Sequence, residues 1–293
     1  MIDLRCPPAQ SRAHDSRIRQ LGLALDHPEG IAASPSGVLY AGGSHGDVYA
    51  VHPTDGATRL VGQGGGWLLG MASDGRGRVY ACDCTNARVL RFEPENGTNS
   101  VYSDGFDDGR PFVLPNACAF TADGRLIVTD SGESGQPNGS IGVVPPGGGP
   151  AKRLNLPPLR FPNGLAVEGT HRLVVAETDA FAATEILMLA TGFELRTIAQ
   201  FGPDEYIDGV ALTTDGAVVI SCYQPNRVIA LGRGGSRRVL ADDPSGSQLI
   251  SPTNITFAAD GGSKLYAASL LGWHLTEIQT DLCGQAPEYP DLP

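Results

Sequence analysis

An all-β fold of repeated four-stranded sheets is predicted by three observations. Gly and Pro are abundant, 39 and 22 residues, and stand in short clusters between apolar runs, the mark of many turns rather than of disorder. The runs themselves are short and alternate with period two, as half-buried strands do. One figure, a polar or bulky residue, usually Gly, then a strand, recurs at Glu29-Gly30, Leu69-Gly70, Asn116-Ala117, Asn163-Gly164, Asp208-Gly209 and Asn254-Ile255, at intervals of 40, 47, 47, 45 and 46 residues. A four-stranded repeat of about 40–50 residues is a propeller blade, because such a sheet buries its faces only by stacking on neighbours around a ring. The prediction is a six-bladed β-propeller with four antiparallel strands per blade.

The first unit reads as strands Gly30 to Ser34, Val38 to Ala41, Val48 to Val51 and Thr58 to Val61, with turns at Pro35-Ser36-Gly37, Gly46-Asp47 and Thr54-Asp55-Gly56 between them. The second repeats it with Arg78 to Ala81 and Arg88 to Phe92. The third carries Leu126 to Thr129 and is lengthened by turns at 134–139 and 145–150. Leu173 to Glu177 marks the fourth, Val218 to Ser221 and Arg227 to Leu231 the fifth, and Lys264 to Ala267 and Leu275 to Ile278 the sixth. Six like units leave no room for a second domain, so residues 1–293 form one domain. Blades occupy 26–281, residues 1–25 help to close the ring, and 282–293 form a tail.

A net charge of −11 and a pI near 4.9 exclude a phosphate backbone or an anionic membrane surface as partner and point to a small-molecule substrate. The first twenty residues are charged throughout with no apolar stretch, and no later window approaches eighteen apolar residues, so a soluble, cytoplasmic protein is expected. Six cysteines (Cys6, Cys82, Cys84, Cys118, Cys222, Cys283) show no disulfide framework, and no second close pair completes a zinc site with Cys82 and Cys84. Reduced, mostly buried thiols are expected, with a Cys6–Cys283 bridge as the open alternative.

The first strand of a blade is innermost, so the residues at its start converge on one mouth of the central channel. In phase these are Glu29, Leu69, Asn116, Asn163, Asp208 and Asn254, with Asn254 the weakest member. Converging carboxylates repel and lose solvation unless a cation holds them. Two carboxylates and amide carbonyls, with no His or Cys in phase, describe a hard-oxygen site for one divalent ion, Ca²⁺ first, with Mg²⁺, Mn²⁺ or Zn²⁺ as alternatives. Taken singly, each Asn-Gly or Asp-Gly pair is an ordinary turn element; recurrence in phase gives the set its meaning.

These residues resemble the SMP-30/gluconolactonase/LRE-like family from about Pro28 to Ile278. The resemblance is carried by Pro162-Asn163-Gly164-Leu165-Ala166 with Leu173 to Thr178, by Ile207-Asp208-Gly209-Val210-Ala211-Leu212 with Ser221-Cys222-Tyr223, and by Pro252-Thr253-Asn254-Ile255-Thr256-Phe257. It implies a metal, usually calcium, held by Glu29, Asn116, Asn163 and Asp208, and hydrolysis of lactones or phosphotriesters with Asp208 as base or nucleophile. The chain departs from the sugar-lactonase pattern at Leu114 and Ala117, where a basic residue and an Asp are usual. With Leu69 in the ring and Trp67 beside it, an apolar lactone or ester is a better match than gluconolactone. Tyr223 is expected to line the pocket or pack, and His274 to shuttle a proton near the mouth or to be an ordinary hydrogen-bonded His.

Gly42-Gly43-Ser44-His45-Gly46 has the nucleophile-elbow spacing, but Asp47 to Val51 reads as a strand where that motif needs a helix, so it is a hairpin turn. The Gly-rich stretches 62–66 and 147–149 lack a following helix and a P-loop Lys. The alternative function is a ligand-binding scaffold with a structural metal, or a non-hydrolytic enzyme like the strictosidine-synthase-like propellers.

Overall fold

In the computed structural model, which describes residues 15–293, regular structure is almost wholly strand, in six four-stranded antiparallel sheets, with one 3-10 turn at Thr178–Ala180. The inner strands of blades one to six are Gly30–Ala33, Leu68–Ser73, Pro115–Phe120, Pro162–Glu168, Tyr206–Leu212 and Pro252–Ala258. Each leads outward through hairpins to three further strands in chain order, and the sheets form a six-bladed β-propeller. Blade six differs. Its outermost strand is Ile18–Leu21, paired with Leu275 to Ile278 of the strand Leu275–Gly284, so the ring is closed by joining the two ends of the described chain. That last strand runs past the predicted blade end at 281 because Gly262 still pairs with Gly284.

The stacking that the repeat requires appears as six apolar cores, one at each interface between neighbouring blades. Between blades one and two, for example, Tyr40 and Val48 meet Leu68, Val79, Leu90 and Phe92. No blade has a core of its own, which is why the units cannot fold singly.

The closure is fastened at the surface by Arg19, whose guanidinium donates to Glu277 (2.9 Å) and to the carbonyls of Pro53 (2.7 Å) and Thr54 (2.8 Å), tying blade six to a hairpin of blade one. Arg19→Ala is expected to cost about 1 kcal/mol, since net hydrogen-bond contributions are of that size and the pair is partly exposed. Thermal denaturation should show it as a fall of a few degrees.

One end of the channel is crossed by the carboxy-terminal segment. The Gln285 amide donates to the Leu212 carbonyl (2.8 Å), its side chain to Val167 (3.2 Å), and Tyr289 to Ala33 (3.0 Å). A cavity of about 110 Å³ is left between this segment and the inner strands. Cys82, Cys118 and Cys222 are buried and Cys84 half-buried; Cys6, the partner considered for Cys283, lies outside the described residues, as does most of the predicted closing segment before Ile18.

Candidate metal centre

Five of the six predicted ring residues, all but Glu29, sit at a local break in their sheets. Pairing jumps from Leu68 to Met71, Pro115 to Cys118, Pro162 to Leu165, Ile207 to Val210 and Pro252 to Ile255, so two residues of the inner strand face a gap in the ladder. Such a bulge re-aims a side chain. In blades two to five the first residue of the bulge is Leu69, Asn116, Asn163 or Asp208, and Glu29 holds the same place just before its strand. Blade six corrects the predicted phase. Its bulge is Thr253-Asn254, so Thr253 is the counterpart of Asn163, and Asn254 occupies the place of Gly164. The backbone agrees, because His27-Pro28-Glu29, Phe161-Pro162-Asn163 and Ser251-Pro252-Thr253 share a left-handed residue before proline, with φ of 40°, 55° and 40°. Asn254 donates instead to the Glu29 carbonyl (3.1 Å) and lines the cavity on the other side of the ring.

The glycine after the ring residue is a packing requirement, and the Asn-Gly pair is not a turn. A Cβ on Gly164 would lie 2.3 Å from the Asp208 carbonyl oxygen and 2.6 Å from the Gly209 Cα. Gly30 meets the Leu69 carbonyl, Gly70 meets Ala117, and Gly209 meets Thr253 in the same way. Inner strands of adjacent blades therefore approach backbone to backbone at the ring itself.

Glu29, Asn116, Asn163 and Asp208 are all buried. Asn163 Nδ2 donates to Asp208 Oδ2 (3.2 Å) and to Thr178 Oγ1 (3.2 Å); Asn116 Nδ2 donates to Ser131 Oγ (3.0 Å). What remains is one buried oxygen on each of the four, Glu29 Oε2, Asn116 Oδ1, Asn163 Oδ1 and Asp208 Oδ1, with no partner. They make up half of the eight unpartnered buried side-chain atoms among the described residues. Buried polar atoms are ordinarily satisfied, so four orphaned hard acceptors in phase fit a divalent cation. Among the described residues no three of His, Cys, Asp and Glu cluster as metal ligands, since this ring has two carboxylates and completes its donors with amides. Burial pushes the Asp208 carboxyl up to about 7 against the Asn163 hydrogen bond, and burial together with the Asp208 charge pushes Glu29 well above the usual carboxylate range.

The other predicted residues divide. Leu69 is buried in the core between blades two and three, with Leu114 packed against it, while Trp67 is about a third exposed, at 36%. Tyr223 is half-buried within reach of the Asp208 charge. Burial first, then the charge of Asp208, pushes its phenol up to about 12, and it packs near Tyr206 (5.6 Å between centroids). His274 is not brought to the ring: it is buried in a groove with Leu23, Leu25, Ile250 and Trp273, where burial holds its imidazole below the usual value.

Two groups escaped the sequence reading. Cys84 stands beside the ring, its thiol pushed up to about 11 by burial and the Glu29 charge. Hydroxyls on the second strands or on the residue just after them reach across to the next blade: Thr129 to the Asn163 carbonyl (2.8 Å), Ser131 to Pro162 (2.8 Å), Thr178 to Ile207 (2.8 Å) and Ser221 to Thr253 (2.5 Å). A signal existed, because Cys84, Ser131, Thr178 and Tyr223 each follow their ring residue by 15 positions. The rejected elbow is a hairpin turn as expected, with Ser44 donating to the Asp26 carboxylate (3.1 Å) and strand Asp47–Val51 following.

Comparison with known structures returns the same fold. A gluconolactonase, XC5397 from Xanthomonas campestris, is 20% identical with a TM-score of 0.76, covering 90% of this chain and 89% of that one. A calcium-binding protein, regucalcin from Agrobacterium tumefaciens, is 15% identical with a TM-score of 0.72, over 93% and 98%. Virginiamycin B lyase from Staphylococcus aureus, 15% identical with a TM-score of 0.65 over 89% and 98%, shows that the fold is not tied to one reaction. A search of curated proteins finds no match. Residues 28–270 match the family described as the SMP-30/Gluconolactonase/LRE-like region, a span that includes all four ring residues, and the chain belongs to that family.

Proposed function

We propose that the protein is a divalent-metal-dependent hydrolase of a lactone or related ester less polar than a sugar lactone. The observation that carries this reading is the set of four buried, unpartnered oxygens on Glu29, Asn116, Asn163 and Asp208. All are hard donors, two are anionic, and no nitrogen or sulfur ligand is among them, which favours Ca²⁺ over Zn²⁺. Family membership and the calcium-binding neighbour point the same way.

When bound, a divalent cation supplies polarisation of a substrate carbonyl and stabilisation of the oxyanion that develops from it. The chain supplies the rest. Asp208 takes a proton from the attacking water as the water oxygen bonds to the carbonyl carbon, and returns it to the alkoxide when the ring C–O bond breaks. Asn163 Nδ2 holds Asp208 Oδ2 in place, which fixes the carboxylate for both of its assigned roles, cation ligand through Oδ1 and base. Trp67, about a third exposed, and half-buried Tyr223 are the side chains assigned to the apolar part of the substrate, while Leu69 and Leu114 belong to the core between blades two and three. The net charge of −11 also supports a small molecule as substrate rather than nucleic acid or an anionic membrane.

The test is a panel of alkyl and aryl lactones, sugar lactones, esters and phosphotriesters, assayed on chelator-treated protein and again after Ca²⁺ is restored. Turnover should be lost with the metal, return with it, and favour apolar lactones over gluconolactone. No metal-dependent turnover of any member would sink the reading.

A further inference from the structure

We propose that Ser131 and Thr178 are positioning residues that lock the amides of Asn116 and Asn163 with their carbonyl oxygens facing the ring. This rests on the reading of the ring as a cation site. An amide is nearly symmetric in shape, so a ring asparagine can present either an oxygen or an NH₂ to the axis, and only the hydrogen-bond network decides. Here the network acts through one hydroxyl proton behind each amide, joined at Asn163 by the contact of Nδ2 with Asp208 Oδ2 (3.2 Å), which favours the same orientation. The Ser131 hydroxyl hydrogen is committed to the Pro162 carbonyl (2.8 Å) and the Thr178 hydroxyl hydrogen to the Ile207 carbonyl (2.8 Å). Each hydroxyl oxygen can then only accept, and what it accepts is Nδ2 of Asn116 (3.0 Å) or of Asn163 (3.2 Å). A flipped amide would set two acceptors against each other behind the ring and two donors against a cation in front of it.

The pattern around the ring agrees. The position fifteen residues after the ring residue is a hydroxyl in blades three and four, where the ring residue is an asparagine. In blade two, where it is Leu69, that position is Cys84; in blade five, where it is Asp208, it is Tyr223; in blade six, counted from Thr253, it is Ala268. In blade one, where it is Glu29, Ser44 stands there, but its hydroxyl donates to the Asp26 carboxylate (3.1 Å) and holds no side-chain amide. Thr129 supplies an internal control. It also bridges blades, accepting from the Ala117 amide (2.9 Å) and donating to the Asn163 carbonyl (2.8 Å), but it holds no side-chain amide.

The experiment is a calorimetric titration of the chelator-treated protein with Ca²⁺, alongside melting temperatures in chelator. Ser131→Ala and Thr178→Val should each weaken Ca²⁺ binding about tenfold or more, as loss of an outer partner of a metal ligand does. Thr178→Ser and Ser131→Thr should restore it, and Thr129→Val should lower the melting temperature while keeping the Ca²⁺ affinity of the parent. Equal loss of affinity in Thr129→Val would make the hydroxyls mere braces and overturn the proposal. So would parental affinity in both Ser131→Ala and Thr178→Val; Ser131→Ala removes a single oxygen and keeps the test open if Thr178→Val does not fold. A parent that binds no Ca²⁺ overturns the cation reading and this one with it, whereas a parent that binds while both variants bind as well overturns this one alone.

Discussion

Replacing Gly164 with Ala is expected to lower the melting temperature by about 5–10 °C, although a methyl group is the smallest change available and Ala is ordinarily the better residue in a strand by about 0.5–1 kcal/mol. Gly164 does not need its conformational freedom. What it needs is space, because the added Cβ would stand 2.3 Å from the Asp208 carbonyl oxygen and 2.6 Å from the Gly209 Cα, both backbone atoms that cannot rotate away. Relief requires blades four and five to move apart, which also disturbs the core they share around Val174, Ile207 and Val210. Overpacking of this kind costs about 3 kcal/mol at a rigid site, and in a chain of this size each kcal/mol moves the melting temperature by about 2–4 °C. Blade three, which carries Ala117 in the equivalent place, provides the comparison: Ala117→Gly should lose no more than about 1 kcal/mol. Thermal denaturation followed by circular dichroism measures both, and a Gly164→Ala protein that melts with the parent would show that the ring has slack.

The close approach at Gly164 explains how much of the fold was legible. Recurrence at 40–47 residues is a property of the chain as a string, so the number of blades, their hairpins and the identity of Glu29, Asn116, Asn163 and Asp208 could all be counted off. The reason for the recurrence could not be. Asn-Gly is common turn chemistry, and only the structure shows the glycine pressed against the next blade. The same limit misplaced Asn254. A count of residues cannot see which of two neighbours opens a bulge, and Thr253 emerged only from the pairing of Pro252 with Ser269 and Ile255 with Ala267. His274 shares the mouth-side loops with Trp273, yet its burial against Leu25 and Ile250 follows from the packing of blade six, which has no trace in local sequence. Ser131 and Thr178 were within reach at a fixed offset from their asparagines. A hydroxyl, however, has no signature until its partner is known.

Asp208→Asn should make the metal-free protein more stable and the enzyme inactive. In the unfolded chain an aspartate titrates near its ordinary value of about 3.9, while in the folded, metal-free ring burial holds Asp208 up at about 7. Between those values the folded state keeps a proton that the unfolded state has released, so the contribution of Asp208 to the stability of the chelated parent is full below about pH 4 and is lost as pH rises to about 7. Glu29, raised by burial and by the Asp208 charge, adds in the same direction. The asparagine variant has no charge to bury at that position, and relief of the Glu29 carboxylate follows. At pH 8 in chelator its melting temperature should therefore exceed that of the parent, and its decline between pH 4 and 7 should be shallower. Added Ca²⁺ reverses the order: it stabilises the parent by mass action and should leave the variant nearly unmoved. Turnover should fall by about 10³-fold, the range for a lost general base, compounded by the lost anionic ligand. Glu29→Gln should share the stability gain and the weakened Ca²⁺ response but retain more turnover once Ca²⁺ is raised to saturation, because it removes a ligand and leaves the base. If Asp208→Asn keeps both the Ca²⁺ response and the activity of the parent, neither role belongs to Asp208.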